Sequence, residues 1–224
     1  MNTDNTRATL DRYAECLRGL GYRLGEAEQG LLESHCALIR EWNGVCSLVS
    51  QGDLNLLWER HVLDSLRVAC CLASIRKDAG ALLDIGSGGG FPGIVSKTIL
   101  PDLHVTLLER SAKKVGFLRR VVGVLGLHGI DIVCGEFPAA ARGIEAQILT
   151  ARAIENPKKV SKGIAGWLSP QRAFLCQTAE VADLFNEKFH VERVEKRFHV
   201  EQLQNPIPPD PDTRGNIYII RPEA

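Results

Sequence analysis

The sequence predicts an α/β protein: a mostly parallel, seven-stranded sheet with helices on both faces, preceded by a helical extension. Three observations carry this. From Gly80 onward, short apolar runs alternate with amphipathic stretches, the texture of parallel strands joined by crossover helices. Residues 86, 88, 89 and 90 are glycines directly behind the apolar run Leu82–Ile85, which reads as a buried strand turning sharply into a helix. Upstream of that point the apolar residues recur at helical spacing instead. The expected division is therefore a helical extension over 1–78 and a sheet domain over 79–224.

The helices of the extension come first. Leu10, Tyr13, Leu17 and Leu20 mark one inner face, and Leu31, His35, Leu38, Ile39 and Trp42 a second, with Gly21 and Gly25 between them. An irregular stretch follows Glu41-Trp42-Asn43 and ends at Asp53, a plausible N-cap. A third helix buries Trp58, Val62, Leu66 and Ala69 and shows Arg60, His61, Asp64 and Ser65 on its other side. Arg60 and Asp64 have the spacing of a helix ion pair, and His61 is in reach of Asp64 or Ser65.

The strands expected in the sheet domain are 81–85, 104–109, 130–134, 146–150 and 172–177, with helices over about 92–100, 111–125, 136–142 and 156–167. Pro92 suits the first turn of the helix behind the glycines. Val115, Leu118, Val122 and Leu125 line the inside of 111–125, and Gly126 ends it. From Phe189 to Gln202 the pattern alternates like one long strand; a proline-rich segment at 205–213 and the apolar run Asn216–Ile220 then suit an antiparallel edge.

Composition narrows the function classes. A chain of 224 residues, 45% hydrophobic and 24% charged, can bury one good core and reads as an ordinary globular protein. It has no apolar run long enough for a membrane span, and its N-terminus is unlike a signal peptide, so a cytoplasmic location is expected. The seven cysteines lack Cys-x-x-Cys spacing, which points to reduced thiols and no metal. Net charge is zero, yet Arg110, Lys113, Lys114, Arg119 and Arg120 fall together with no acid among them, a candidate phosphate-contacting face. A monomer is expected.

Ligands of open parallel sheets sit beyond the carboxyl ends of the strands. That rule collects Asp84 to Phe91, Glu109, Gly135-Glu136, Ala151-Arg152-Ala153 and Gln177-Thr178. Asp84-x-Gly86-x-Gly88-x-Gly90 has the pattern of Rossmann-like, class I S-adenosylmethionine-dependent methyltransferases, in which an acid ahead of the glycines lies near the cationic end of the cofactor. Gly88, Gly90 and Gly93 also satisfy the dinucleotide fingerprint Gly-x-Gly-x-x-Gly. Glu109, about 20 residues on, suits a ribose-hydroxyl acceptor in either reading.

Four segments together resemble one family: Glu41-Trp42-Asn43, Arg60-His61-x-Leu63-Asp64-Ser65-Leu66, Asp84 to Gly93, and Glu109-Arg110-Ser111-x-Lys113-Lys114-x-x-Phe117-Leu118. They are similar to the RsmG family, also called glucose-inhibited division protein B, bacterial small-subunit ribosomal RNA guanine-N7 methyltransferases. The resemblance runs from about residue 30 to the C-terminus. It implies S-adenosylmethionine as cofactor, with contacts at Gly86, Phe91, Gly135, Glu136 and Arg152, and small-subunit ribosomal RNA or a small ribosomal particle as partner. The chain departs from the family pattern at Ser47-Leu48-Val49-Ser50, at Cys134, where an arginine is usual, and at Gln177-Thr178, where Lys-Gly is usual; the arginine of the C-terminal turn is kept as Arg214.

Guanine N7 carries a free lone pair, so its methylation needs no general base, and the site shows no acid–base pair. Arg152 and Arg214 are expected to position cofactor and guanine, while Lys113, Lys114, Arg119 and Arg120 contact RNA phosphates. The alternatives are a small-molecule methyltransferase, an S-adenosylmethionine-binding protein without catalysis, and a nicotinamide-dependent oxidoreductase, for which the chain offers no hydride partner or substrate domain.

Overall fold

In the computed structural model, which describes residues 3–75, 80–152, 156–186, 189–191, 194–203 and 216–223, the extension forms α1 (Thr3–Gly19), α2 (Glu26–Cys46) and α3 (Leu63–Ile75). The capping chemistry explains the bounds of α2. Glu28 reaches back to accept the Gly25 N–H at 2.7 Å, and at the far end the Asn43 side chain accepts from Leu48 and Val49 N–H at 2.8 and 2.9 Å. Asn43 thus holds the turn that leaves the helix. A π-helical turn, Trp58–Val62, runs straight into α3.

That wider turn changes one expected pairing. Five residues per hydrogen-bonded ring instead of four rotate Arg60 away from Asp64. Arg60 pairs with Asp53 at 2.6 Å, and Asp64 faces Arg67 and Arg152.

After Gly80 come β1 (Ala81–Ile85), α4 (Gly93–Ile99), β2 (His104–Glu109), α5 (Ala112–Leu125), β3 (Ile130–Cys134), β4 (Ile148–Ala151), α6 (Pro157–Trp167), β5 (Ala173–Cys176), α7 (Ala179–Leu184), β6 (Phe189–Val191), β7 (Val194–Lys196), β8 (Phe198–Leu203) and β9 (Ile217–Pro222). Seven of these strands make one sheet in the order β3-β2-β1-β4-β5-β9-β8. The first five pair in parallel, and β9 and β8 close the edge antiparallel, as expected.

Side chains alternate across the strands, so the sheet has two apolar faces. Leu82, Val105, Leu107 and Ile219 point into a cluster shared with α1 to α5. Leu83, Leu108, Leu149, Phe174 and Ile220 point into a second, covered by α6 and α7. Each fully buried leucine or isoleucine contributes about 1.5–3 kcal/mol. The helices ahead of the sheet therefore share its core, which brings the Trp58–Leu66 segment to the carboxyl edge of the strands.

Two expected elements differ. The helix over 136–142 is a single 3-10 turn, Ala139–Ala141, because Pro138 and Gly143 leave too few residues to repay helix nucleation. The long strand over 189–202 is divided: β6 and β7 pair with each other as a separate hairpin, and only β8 joins the sheet. Alternation alone does not say which partner a strand takes.

Candidate functional site

The sheet reverses its strand order at β1, with β2 on one side and β4 on the other. Register aligns the strand ends: Val133, Leu108, Ile85, Ala151 and Cys176 are successive partners. The residues one step beyond them are Cys134, Glu109, Gly86, Arg152 and Gln177. Positions far apart in sequence thus form one row along the carboxyl edge.

The middle of the row is backbone. Gly86, Gly88 and Gly90 all have positive φ, at 68°, 51° and 88°. A Cβ on Gly86 would meet nothing within 4 Å, and one on Gly88 only the Gly86 carbonyl at 3.6 Å. The turn therefore presents bare, open backbone, a cradle that side chains would fill. Its underside is closed: a Cβ on Gly93 would lie 2.5 Å from Leu107 and 2.7 Å from Asp84.

Two buried carboxylates hold this turn. Asp84 Oδ2 accepts the Gly93 N–H at 3.1 Å. The first amide of α4 is thereby occupied by the protein's own acid instead of standing free for a ligand. Asp84 Oδ1 is buried with no hydrogen-bond partner among the described residues. Burial pushes the Asp84 carboxyl up to about 7, against the pull of the Gly93 amide. Glu109 accepts from Gly88 N–H at 3.0 Å and from Ser111 N–H at 2.8 Å, which fastens the turn to the start of α5.

Phe91 lies behind the turn between two histidines, 4.9 Å from His35 and 5.1 Å from His61 by ring centroids. His35 of α2 is fully buried and donates Nε2–H to the Gly89 carbonyl at 2.7 Å. Burial lowers its pKa to about 4, so the ring is neutral. His35 shares the helical period of the leucines around it, and no local signal marks it as a support for the glycine turn.

On the β4–β5 side the edge is made of side chains. Arg152 donates Nη2–H to the Arg60 carbonyl at 2.9 Å and to His61 Nδ1 at 2.7 Å, and its Nε lies 3.6 Å from Asp64. The guanidinium also stands 5.7 Å over the Phe91 ring. His61 is held neutral by burial and by Arg152, its pKa lowered to about 4. Gln177 donates to Asp64 at 3.4 Å. The polar side of the 60–65 segment, whose role the sequence left open, thus binds the ends of β4 and β5. Between them is a cavity of about 370 Å³ lined by Asp53, Glu59, His61, Asp64, Arg152, Gln177 and Glu180, among others.

The other expected residues are peripheral to these two features. Gly135 packs against Ala140, where a Cβ would come within hard contact, and donates to the Glu109 carbonyl at 3.0 Å. Glu136 is exposed and pairs with Lys159 at 3.2 Å. Lys113, Arg119 and Arg120 are exposed on α5, and Lys114 is half-buried. Ser111 caps α5 by accepting from Lys114 N–H, so the first lysines stand at the carboxyl edge beside Glu109. Arg214 and Ala153 lie outside the described residues. Among the described residues there is no group of three or more candidate metal ligands, and no helix is long and apolar enough to cross a membrane.

Comparison with known proteins gives a consistent result. Residues 28–204 match the GidB family, described as rRNA small subunit methyltransferase G. The ribosomal RNA small subunit methyltransferase G of Halorhodospira halophila is 38% identical over 149 residues, 66% of this chain and 68% of that one. The protein of the same name from Desulfotalea psychrophila is 31% identical over 175 residues, 75% and 79% of the two chains. Among solved structures, the SAH-bound Podospora anserina methyltransferase PaMTH1 superposes with a TM-score of 0.58 at 16% identity, covering 100% of this chain and 97% of that one. TrmN from Thermus thermophilus gives 0.50 at 16% identity, covering 74% and 53%. At such identities the structural likeness speaks for the fold.

Proposed function

The chain belongs to the GidB family, rRNA small subunit methyltransferase G, and from that premise we propose that it methylates N7 of a guanine in 16S ribosomal RNA with S-adenosylmethionine as donor. The observation that carries the reading is the open glycine turn at the strand-order reversal, with an arginine-bearing cavity beside it on the β4–β5 side. The residues fit the cofactor. Gly86 and Gly88 leave room for close approach, Asp84 stands buried beneath the turn, and Glu109 stands at the edge where a ribose acceptor belongs.

When bound, S-adenosylmethionine supplies an electrophilic methyl on a sulfonium, taken up by a nucleophile in line with the departing sulfur. The protein's share is then positioning. The row at the strand ends has a backbone half, β3-β2-β1, for the cofactor and a side-chain half, β4-β5, for the base. Arg152, fixed by His61, Asp64 and the Arg60 carbonyl, would set its positive charge beside the acceptor edge of guanine. No base is required, since N7 carries no proton. That agrees with two neutral histidines that support the site without facing each other as an acid–base pair. Fixed geometry can supply most of the acceleration. Lys113, Lys114, Arg119 and Arg120 would meet RNA phosphates along α5. Arg214 remains a candidate second positioning group. Ribosomal particles would be met in the cytoplasm.

The test is methyl transfer from labelled S-adenosylmethionine to small-subunit particles from a strain lacking this gene, followed by mapping of the modified base. One N7-methylguanine is expected. Cofactor binding without transfer to RNA would sink the reading in favour of a small-molecule or non-catalytic role. Reversing the charges of Lys113 and Lys114 should weaken particle binding and reduce its salt slope by about 2.

A further inference from the structure

The basic start of α5 has a counterpart on the other side of the sheet. Ser111-Ala112-Lys113-Lys114 opens α5, and Asn156-Pro157-Lys158-Lys159 opens α6. Each begins with a capping side chain, Ser111 or Asn156, that accepts from the N–H of the second lysine, and neither first turn holds an acid. Lys162 carries the charge of α6 one turn further, and Lys158, Lys159 and Lys162 are all exposed. Lys159 pairs with Glu136 at 3.2 Å. No ion pair among the described residues holds Lys158 or Lys162.

Stability does not explain this arrangement. Helix starts favour acids, because the macrodipole is positive there. Like charges four residues apart, as at Lys158 and Lys162, repel. Local rules broken in this way mark places where function outweighs stability. The helix amides are not what α6 offers: Pro157 has no N–H, and Asn156 occupies that of Lys159. What it offers is a face of lysine side chains, complementary to a polyanion.

The fold sets the two lysine faces apart. α5 packs into the apolar cluster on one side of the sheet and α6 into the cluster on the other. α5 follows β2 and α6 follows β4, the strands on either side of β1, so their chains leave the carboxyl edge about 10 Å apart along the sheet. Pro157 also lines the cavity beside Arg152. The glycine turn and that cavity therefore lie between two pairs of lysines, one on each side of the sheet. Resting on the ribosomal RNA reading, we propose that Lys158, Lys159 and Lys162 form a second phosphate-contacting face, and that one RNA strand crosses the carboxyl edge from α5 to α6, which carries the target base over the ends of β1 and β4.

The test combines Lys158→Glu with Lys162→Glu and leaves Lys159 in place, because Lys159 pairs with Glu136. Binding to small-subunit particles is measured over a salt series. The double reversal should weaken binding about tenfold or more and reduce the salt slope by about 2, with the urea midpoint and the cofactor Kd unchanged. The loss should add to that of the Lys113/Lys114 reversal, and KM for the particle in methylation should rise with it. A photocrosslinker on Lys158→Cys, compared with the unsubstituted chain treated alike, should attach to 16S RNA. Wild-type affinity and slope in the double reversal overturn the assignment. So does weaker binding with an unchanged KM, or attachment to ribosomal protein alone, which would give this face a protein partner. A wild type that neither binds nor methylates the particles overturns the function itself, and this face with it.

Discussion

The two halves of the carboxyl edge are built by different means. The half over β3, β2 and β1 is backbone: glycines with positive φ, secured by the buried carboxylates Asp84 and Glu109 within one continuous motif. The half over β4 and β5 is side chain: Arg152, His61, Asp64 and Gln177 hold one another across separations of about 90 and 113 residues. Phe91 lies between them, with His35 on the glycine-turn side and His61 on the cavity side. A backbone cradle tolerates little change of shape but asks little of distant residues. A side-chain cluster depends on every member's placement and can be retuned one residue at a time.

Substitutions should separate the halves. The largest effect is expected at Gly93. Its Cβ would enter Leu107 and Asp84 at 2.5 and 2.7 Å, both parts of a packed core with nowhere to move. Gly93→Ala should cost about 3 kcal/mol in urea unfolding and weaken cofactor binding with it. Arg152→Ala should cost less stability than Gly93→Ala, about 1–2 kcal/mol from the partners it leaves unpaired, but lower methyl transfer about a hundredfold, with the cofactor Kd moving less than the rate in paired calorimetric and single-turnover measurements. An equal loss in both would assign Arg152 to the cofactor half.

A third expectation concerns pH. His35 and His61 have folded pKa values near 4 against an ordinary 6.5. Between those values the unfolded chain binds more protons, so this stability is full above about 6.5 and is lost as pH falls towards 4. Asp84 acts in the opposite sense. With its folded pKa raised to about 7, it favours the folded state less as pH rises from about 4 to 7. His35→Gln should be about 1 kcal/mol less stable than the wild type at pH 7, and the gap should narrow at pH 5. Asp84→Asn should gain on the wild type over the same rise in pH; equal pH profiles for the three proteins would show that the glycine-turn half does not carry its titratable groups as the burial requires.

The smallest effect is expected at Glu136. It is exposed, and its ion pair with Lys159 is of the surface kind that contributes about 0–1 kcal/mol. Glu136→Gln should change the cofactor Kd by less than about threefold. A larger loss would extend the cofactor half outward past Gly135 and sharpen the boundary between backbone and side-chain recognition.

The residues themselves determined what depends on local chemistry. Strand–helix alternation after Gly80, the glycine turn with its flanking acids, the capped basic helix α5 and the antiparallel edge were all legible because period, glycine φ and capping act over a few residues. The partnership of helix 60–65 with the ends of β4 and β5 was not. Arg60 and Asp64 have the spacing of a helix pair, yet a π-helical turn separates them. His35 carries the same periodicity as a core leucine. The strand-end rule places Gln177 at the carboxyl edge, but nothing local shows that it bonds Asp64. Only the packing of the N-terminal helices against the sheet brought Asp64 and Gln177 to one cavity and His35 to the glycine turn, because burial, pKa and partner choice arise from neighbours distant in sequence. The divided strand after Phe189 follows the same rule: alternation specifies which face a side chain takes, and tertiary contacts decide which strand it pairs with.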